Sequence, residues 1–111
     1  MHDHFTTFDI NTKLGLRVTG GVEGRMVLID PYALGIVKNK RCHQSEILQL
    51  YIYAEQQQII SVAMDRSIGL WDSQLKKLEI IKDVTFGEIQ ASKFTSSSFD
   101  QQSGTLYVCC H

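Results

Sequence analysis

Short apolar runs separated by short polar breaks set the rhythm of this chain. "EILQLYIY" (46–53) is apolar, β-branched and aromatic, with partial alternation. "QIISVA" (58–63) is continuously apolar, as a strand buried on both faces would be. "SIGLWD" (67–72) is a third short run, and "KLEIIK" (77–82) sets apolar residues inside a charged edge. Four runs of about six residues, divided by breaks such as "AEQQQ" and "MDR", predict four strands. The competing reading is a helix through 46–58, because Glu, Leu and Gln are good helix formers.

The pattern recurs. Sliding the chain on itself by 42 positions lays Trp71 on Ile29, Asp72 on Asp30, Asp65 on Glu23, Ser61 on Thr19 and Ile60 on Val18. Ile47, Leu50 and Ile52 fall on Phe5, Phe8 and Ile10, and Leu78 falls on Ile36. Glu46 and Ile47 fall in turn on Glu88 and Ile89. Identity is low, but apolar, hydroxyl and acidic positions stay in register. The first copy's "FTTFDINTK" is rich in Thr, Phe and Asn and makes a poor helix, which favours strands in its counterpart. Pro31, the only proline, ends the strand "MVLID" because it has no N–H to donate. In "TGGVEG" the glycines suit a tight turn between strands. A third copy begins near Ile89 and runs through Phe94. Its polar "TSSSFDQQSG" reads as a hairpin loop about five residues longer than in the other copies. "TLYVCC" then takes the role of "IISVA", His111 aligns with Met64, and no residue aligns with Asp65. The units expected are 5–43, 44–86 and an incomplete 87–111.

A period in the low forties, four strands per copy and a Trp-Asp pair ending the third strand resemble the WD40-repeat family of β-propellers. The likeness is fullest in "CHQSEILQLYIYAEQQQIISVAMDRSIGLWD". It is partial in the first copy, with Glu23 for the Asp and Ile29 for the Trp, and weakest in the third. The fold expected is therefore all-β: WD40-type blades, each a four-stranded antiparallel sheet, forming an incomplete propeller. Asp65 would stand in the turn between second and third strands, where a carboxylate accepts backbone N–H groups. The resemblance implies a buried structural network of His43, Ser61, Asp65 and Trp71. In it His43 meets Asp65, Ser61 meets His43, and the Trp71 indole meets Ser61. The residue types suit it, since Asp only accepts, Trp only donates, and His and Ser do both. The first copy has Thr19 but no Trp, and its His position falls at Met1, with His2 and His4 nearby, so its network is incomplete.

Composition mostly excludes. The 111 residues are 43% hydrophobic and 21% charged, which is ordinary globular composition. A formal net charge of −1 gives no basic excess for nucleic acid. No apolar run approaches a membrane span and no signal peptide opens the chain. Three cysteines, Cys42, Cys109 and Cys110, make a poor disulfide framework and suit reduced intracellular thiols. With His2, His4, His43 and His111 they form H-x-H, C-H and C-C-H pairs, a poor match to a zinc centre, so no metal or cofactor is expected. "TGGVEG" is no phosphate loop. Ser61, His43 and Asp65 share residue types with a hydrolase triad, but no G-x-S-x-G elbow is present and Ser61 lies inside an apolar strand. The run "KNKRCH" (38–43) is a solvated loop or a contact patch for an acidic partner.

The resemblance implies a non-catalytic scaffold whose partners are other proteins: flanking blades and the subunits of an intracellular complex. No nucleic acid or membrane partner is expected. "VTGGVEGRMVLIDPY" and "IISVAMDRSIGLWDSQ" are also similar to the large multi-repeat WD proteins of motile cilia. That sets the expected place as cytoplasm or cytoskeleton, including the cilium. The alternative is a ligand-binding or enzymatic propeller with its site outside this segment. Closed propellers have about four to eight blades, so two and a half suggest part of a longer protein or of an assembly.

Overall fold

The computed structural model describes residues 5–29, 35–82 and 93–110. Expectations resting on Pro31, Ile89, the N-terminal histidines and His111 fall outside those residues. Among the described residues there are ten strands: β1 (Phe5–Asn11), β2 (Leu16–Gly21), β3 (Arg25–Ile29), β4 (Ile36–Arg41), β5 (Ile47–Tyr53), β6 (Gln58–Ala63), β7 (Ile68–Asp72), β8 (Lys77–Ile81), β9 (Phe94–Asp100) and β10 (Thr105–Cys110). The one helical piece among the described residues is a 3-10 turn, Ala54–Gln56, so the helix reading of 46–58 gives way to strand β5. No described helix is long and apolar enough to cross a membrane.

The strands form two four-stranded sheets, in the orders β1-β2-β3-β4 and β5-β6-β7-β8, and a two-stranded sheet of β9 and β10. Every pairing is antiparallel between sequence neighbours, so each sheet is a meander that short turns can close. This is the architecture of propeller blades, here fewer than a closed ring contains.

The third sheet departs from the sequence reading. β9 starts 47 positions after β5 (Phe94 against Ile47), and β10 starts 47 after β6 (Thr105 against Gln58). Both hairpins have the same loop, whose last residue is left-handed: φ is 53° at Gln57 and 67° at Gly104, as it is 65° at Gly15 in the first sheet. Thr95–Asp100 is therefore strand and not loop, and the extra residues precede Phe94. Polar side chains are tolerated in β9 because they alternate between solvent and a neighbour that receives them. Ser97 Oγ lies 2.7 Å from the Tyr51 hydroxyl, and the Phe99 ring stands edge-on to Tyr53 at 5.0 Å.

A further irregularity recurs in all three sheets. The register shifts between Phe5 and Thr7 in β1, between Ile47 and Gln49 in β5, and opposite Cys109 and Cys110 in β9. Each first strand thus carries one extra residue, a bulge at Thr6, Leu48 or Thr95. Beyond the bulge the inward side resumes one residue late. Ile47, Leu50 and Ile52 consequently share a face, and all three are buried.

The core lies between the first two sheets. Leu16, Val18, Met26 and Leu28 pack from one side against Ile47, Leu50, Ile52, Ile59 and Trp71 from the other. Polar clasps hold the innermost strands together. The Thr6 hydroxyl donates to the Ile47 carbonyl at 2.5 Å, Thr7 Oγ1 to Gln49 Oε1 at 2.8 Å, and the Ile52 amide to Asp9 Oδ2 at 2.8 Å. On the opposite side of β1, Phe5, Phe8 and Ile10 are 55%, 67% and 44% exposed. These are the counterparts of the buried Ile47, Leu50 and Ile52, presented to solvent.

Candidate functional site

Strand order brings four distant residues together. His43 lies in the link from β4 to β5, Ser61 sits mid-strand in β6, Ser67 stands just before β7 and Trp71 is next to its last residue. All four are buried. The Trp71 indole N–H donates to Ser61 Oγ at 2.8 Å. Ser61 Oγ lies 2.5 Å from His43 Nε2, and His43 Nδ1 lies 2.8 Å from Ser67 Oγ. Ser67 Oγ donates to Asp65 Oδ1 at 2.6 Å. The sequence reading brought His43 directly to Asp65. The structure instead inserts Ser67 between them, because the turn 63–66 aims the Asp65 carboxylate at the Ser67 hydroxyl and amide. Asp65 itself is exposed, so the network is buried everywhere except at its acidic end.

Counting protons orients the chain. A carboxylate only accepts, so the Ser67 proton points to Asp65 and Ser67 must accept from His43 Nδ1–H. Neutral His43 then has a lone pair on Nε2, which accepts from the Ser61 hydroxyl, and Ser61 accepts from Trp71. One direction, Trp71 to Ser61 to His43 to Ser67 to Asp65, satisfies every donor. Burial favours this neutral imidazole: it pushes the His43 pKa down from 6.5 to about 4, against a smaller upward pull from Asp65. Burial by itself would raise the Asp65 pKa, but the hydrogen bonds from Ser67 outweigh it and hold the carboxyl below its ordinary range. The set is not wired as a hydrolase triad: Ser67 stands between the imidazole and Asp65, and the buried Ser61 Oγ is engaged by both Trp71 and His43.

Gly69, a position with no role in the sequence pattern, has one in the structure. It pairs directly with Ser61 across the sheet. A Cβ there would lie 2.5 Å from Trp71 Nε1 and 2.6 Å from Ser61 Oγ, so the meeting of indole and hydroxyl requires glycine. The signal was available, since an interior strand glycine marks a close approach. In the first sheet the corresponding residue is Val27, which pairs with Thr19. There Ile29 replaces the tryptophan, no indole needs the space, and the buried Thr19 Oγ1 has no hydrogen-bond partner among the described residues.

Asp72 serves the next turn. Its Oδ1 accepts from the Lys76 amide at 2.9 Å and the Gln74 amide at 2.8 Å, and these bonds lower its pKa. Cys42 sits beside the network, and burial raises its thiol pKa to about 11, so it stays protonated. Cys109 is exposed at the far end of the chain, well separated in the sheet order from Cys42.

The two acidic turn residues should differ in weight. Asp65→Ala strands the buried Ser67 hydroxyl and is expected to cost about 1–2 kcal/mol, less than a fully buried charge would. Glu23→Ala, at an exposed position over the incomplete first-sheet counterpart, should stay within about 0.5 kcal/mol. Urea denaturation of the two variants makes the comparison, and equal midpoint shifts would count against the network.

Antiparallel four-stranded meanders, packed face to face through their innermost strands, define this chain as β-propeller in fold. Solved structures agree. The computationally designed Ika4 protein superposes with a TM-score of 0.68 at 20% identity, over 90% of this chain and 57% of that one. The designed Ika8 protein gives 0.64 at 21% identity, over 86% and 27%. The β-propeller domain of Cps50 (Swd1) from Myceliophteria thermophila gives 0.66 at 24% identity, over 74% and 26%. The chain thus spans between about a quarter and little more than half the length of each of these three. No protein-family model matches it.

Proposed function

We propose that this chain is a segment of a WD40-type propeller that acts as a non-catalytic protein-interaction scaffold in an intracellular complex. The carrying observation is the open face of the first sheet. Phe5, Phe8 and Ile10 stand exposed where their second-sheet counterparts are covered. Apolar surface of that kind is characteristic of an interface. The Trp71–Ser61–His43–Ser67–Asp65 chain supports the WD40 assignment and the non-catalytic one together, because its polar groups are consumed in bonding one another. Protein partners, rather than nucleic acid or membrane, complete the proposal. So does a cytoplasmic or cytoskeletal setting that includes the cilium, whose support is the sequence likeness of 18–32 and 59–74.

Size-exclusion chromatography with light scattering on the 111-residue chain tests this. Self-association, or a need for added blades, is expected. A cooperatively folding 12.6 kDa monomer would sink the reading. In the same sample, a fluorophosphonate serine probe should leave Ser61 unlabelled, and labelling at Ser61 would overturn the non-catalytic reading.

A further inference from the structure

Propeller blades radiate from an axis, so neighbouring sheets touch at their inner strands and part at their outer ones. Between the first two sheets this parting leaves a groove of about 380 Å³. One wall is the end of β4, with Lys40 and Arg41; the other is the side of β8 that carries Lys77, with Lys82 just past the strand's end. Trp71 and His43 line its floor, and Asp65 stands at one end with its carboxylate bound to Ser67. Four cationic side chains therefore meet one engaged carboxylate, in a chain whose overall formal charge is −1.

The cations are not a random scatter. The bulge in the β7–β8 pairing, between Leu70 and Trp71, sets Lys77 opposite Trp71, so Lys77 and Lys82 stand on the side of the sheet that faces β4. Lys40 reaches across the groove. Its Nζ donates to the Leu75 carbonyl at 3.2 Å and lies 5.2 Å from the centroid of the Trp71 ring. An ammonium has three donors, so this anchoring leaves Lys40 able to bind an anion from a fixed position. Lysines on outer strands also discourage edge pairing. That role requires only exposure, whereas these converge on a shared cavity.

We propose that this groove binds a carboxylate-rich peptide segment of a partner protein. Its volume suits a few inserted side chains rather than a folded surface. Nucleic acid fits less well. The groove offers four cations without a longer basic track, and its one tryptophan is buried, so no platform is exposed for base stacking. The inference rests on the scaffold reading, whose partner it describes by chemistry.

The test is fluorescence anisotropy of a labelled ten-residue Asp/Glu peptide titrated with the 111-residue chain at low salt, in whatever assembly state the chain adopts. Saturable binding is expected, weakened at least about tenfold by Lys77→Glu/Lys82→Glu and, in the same direction, by Lys77→Gln/Lys82→Gln. Both lysines are exposed, so the sheet should survive, with circular dichroism as the check. The control Lys13→Glu/Lys93→Glu makes the same change in net charge at exposed sites elsewhere and should alter binding by less than about twofold. No binding, equal losses in both Glu pairs, or tighter binding of an oligothymidylate of the same length would overturn the proposal. None of those results would touch the assembly behaviour, which tests the scaffold reading separately.

Discussion

Gly69→Ala is expected to destabilise the chain by about 3 kcal/mol, more than an ordinary strand glycine substitution, and to shift the emission of Trp71 to the red. The added methyl would fall within 3.0 Å of three atoms of Trp71 and Ser61. Neither neighbour has room to yield. Ser61 belongs to a central strand and is hydrogen-bonded on both sides, and Trp71 is packed in the core. The indole must therefore move out, breaking its bond to Ser61 and opening the contact between the first two sheets. Trp71 is the only tryptophan, so its fluorescence reports this site alone. The first sheet suggests the rescue. It places Val27 and Ile29 where the second has Gly69 and Trp71, so adding Trp71→Ile to Gly69→Ala should cost less than the two single changes summed. Additive losses with unshifted emission would mean that the close approach is not made.

Acidification should weaken the fold through His43. Its pKa is about 4 in the folded chain against an ordinary 6.5. The folded state thus takes up its proton later than the unfolded state does. The stabilisation is complete above pH 6.5, falls as pH drops through the interval, and is gone near pH 4. At 1.36 kcal/mol per pH unit the full loss is about 3 kcal/mol. The structural reason is the single direction of the hydrogen-bond chain. A proton on His43 Nε2 would face Ser61 Oγ, whose own proton would then have no acceptor. Asp65, with its depressed pKa, adds its own loss only at lower pH, below the ordinary carboxyl range. Urea midpoints should fall by about 2 M between pH 7 and pH 4.5. The drop should shrink in His43→Gln, which does not titrate. An equal fall in both proteins would place the pH sensitivity elsewhere.

Much of this was legible in the sequence, for reasons that particular residues show. Ser61 and Trp71 lie in adjacent strands of one unit, and their spacing survives translation by one repeat onto Thr19 and Ile29. The loop assigned to Thr95–Asp100 failed because polar composition is a weak guide at an edge. Ser97 pairs with Val108 in β10 and meets the Tyr51 hydroxyl with its own, and a partner 46 residues away is invisible to a local window. The helix alternative over 46–58 rested on the propensity of Glu, Leu and Gln, which the pairing with β6 overrides, and the bulge at Leu48 disguises the strand further. It spaces Ile47 and Leu50 by three, a helical interval, although both lie on one side of a strand. Ser67 was missed because an extra hydroxyl beside Asp65 looks like ordinary turn chemistry until His43 is placed next to it.

That same bulge changes what the loss of a residue means. Deleting any interior residue of a regular strand turns everything beyond it inside out, which no core survives. Each first strand here has one position exempt from the rule. Without Leu48, the order Ile47, Gln49, Leu50, Tyr51, Ile52 alternates cleanly, with the same three residues still inward. Thr6 and Thr95 hold the same place in their sheets. Chain length can therefore drift by one residue at the head of each unit while inside and outside keep their sense. Descendants of a common repeat could differ in period and still stack as neighbours.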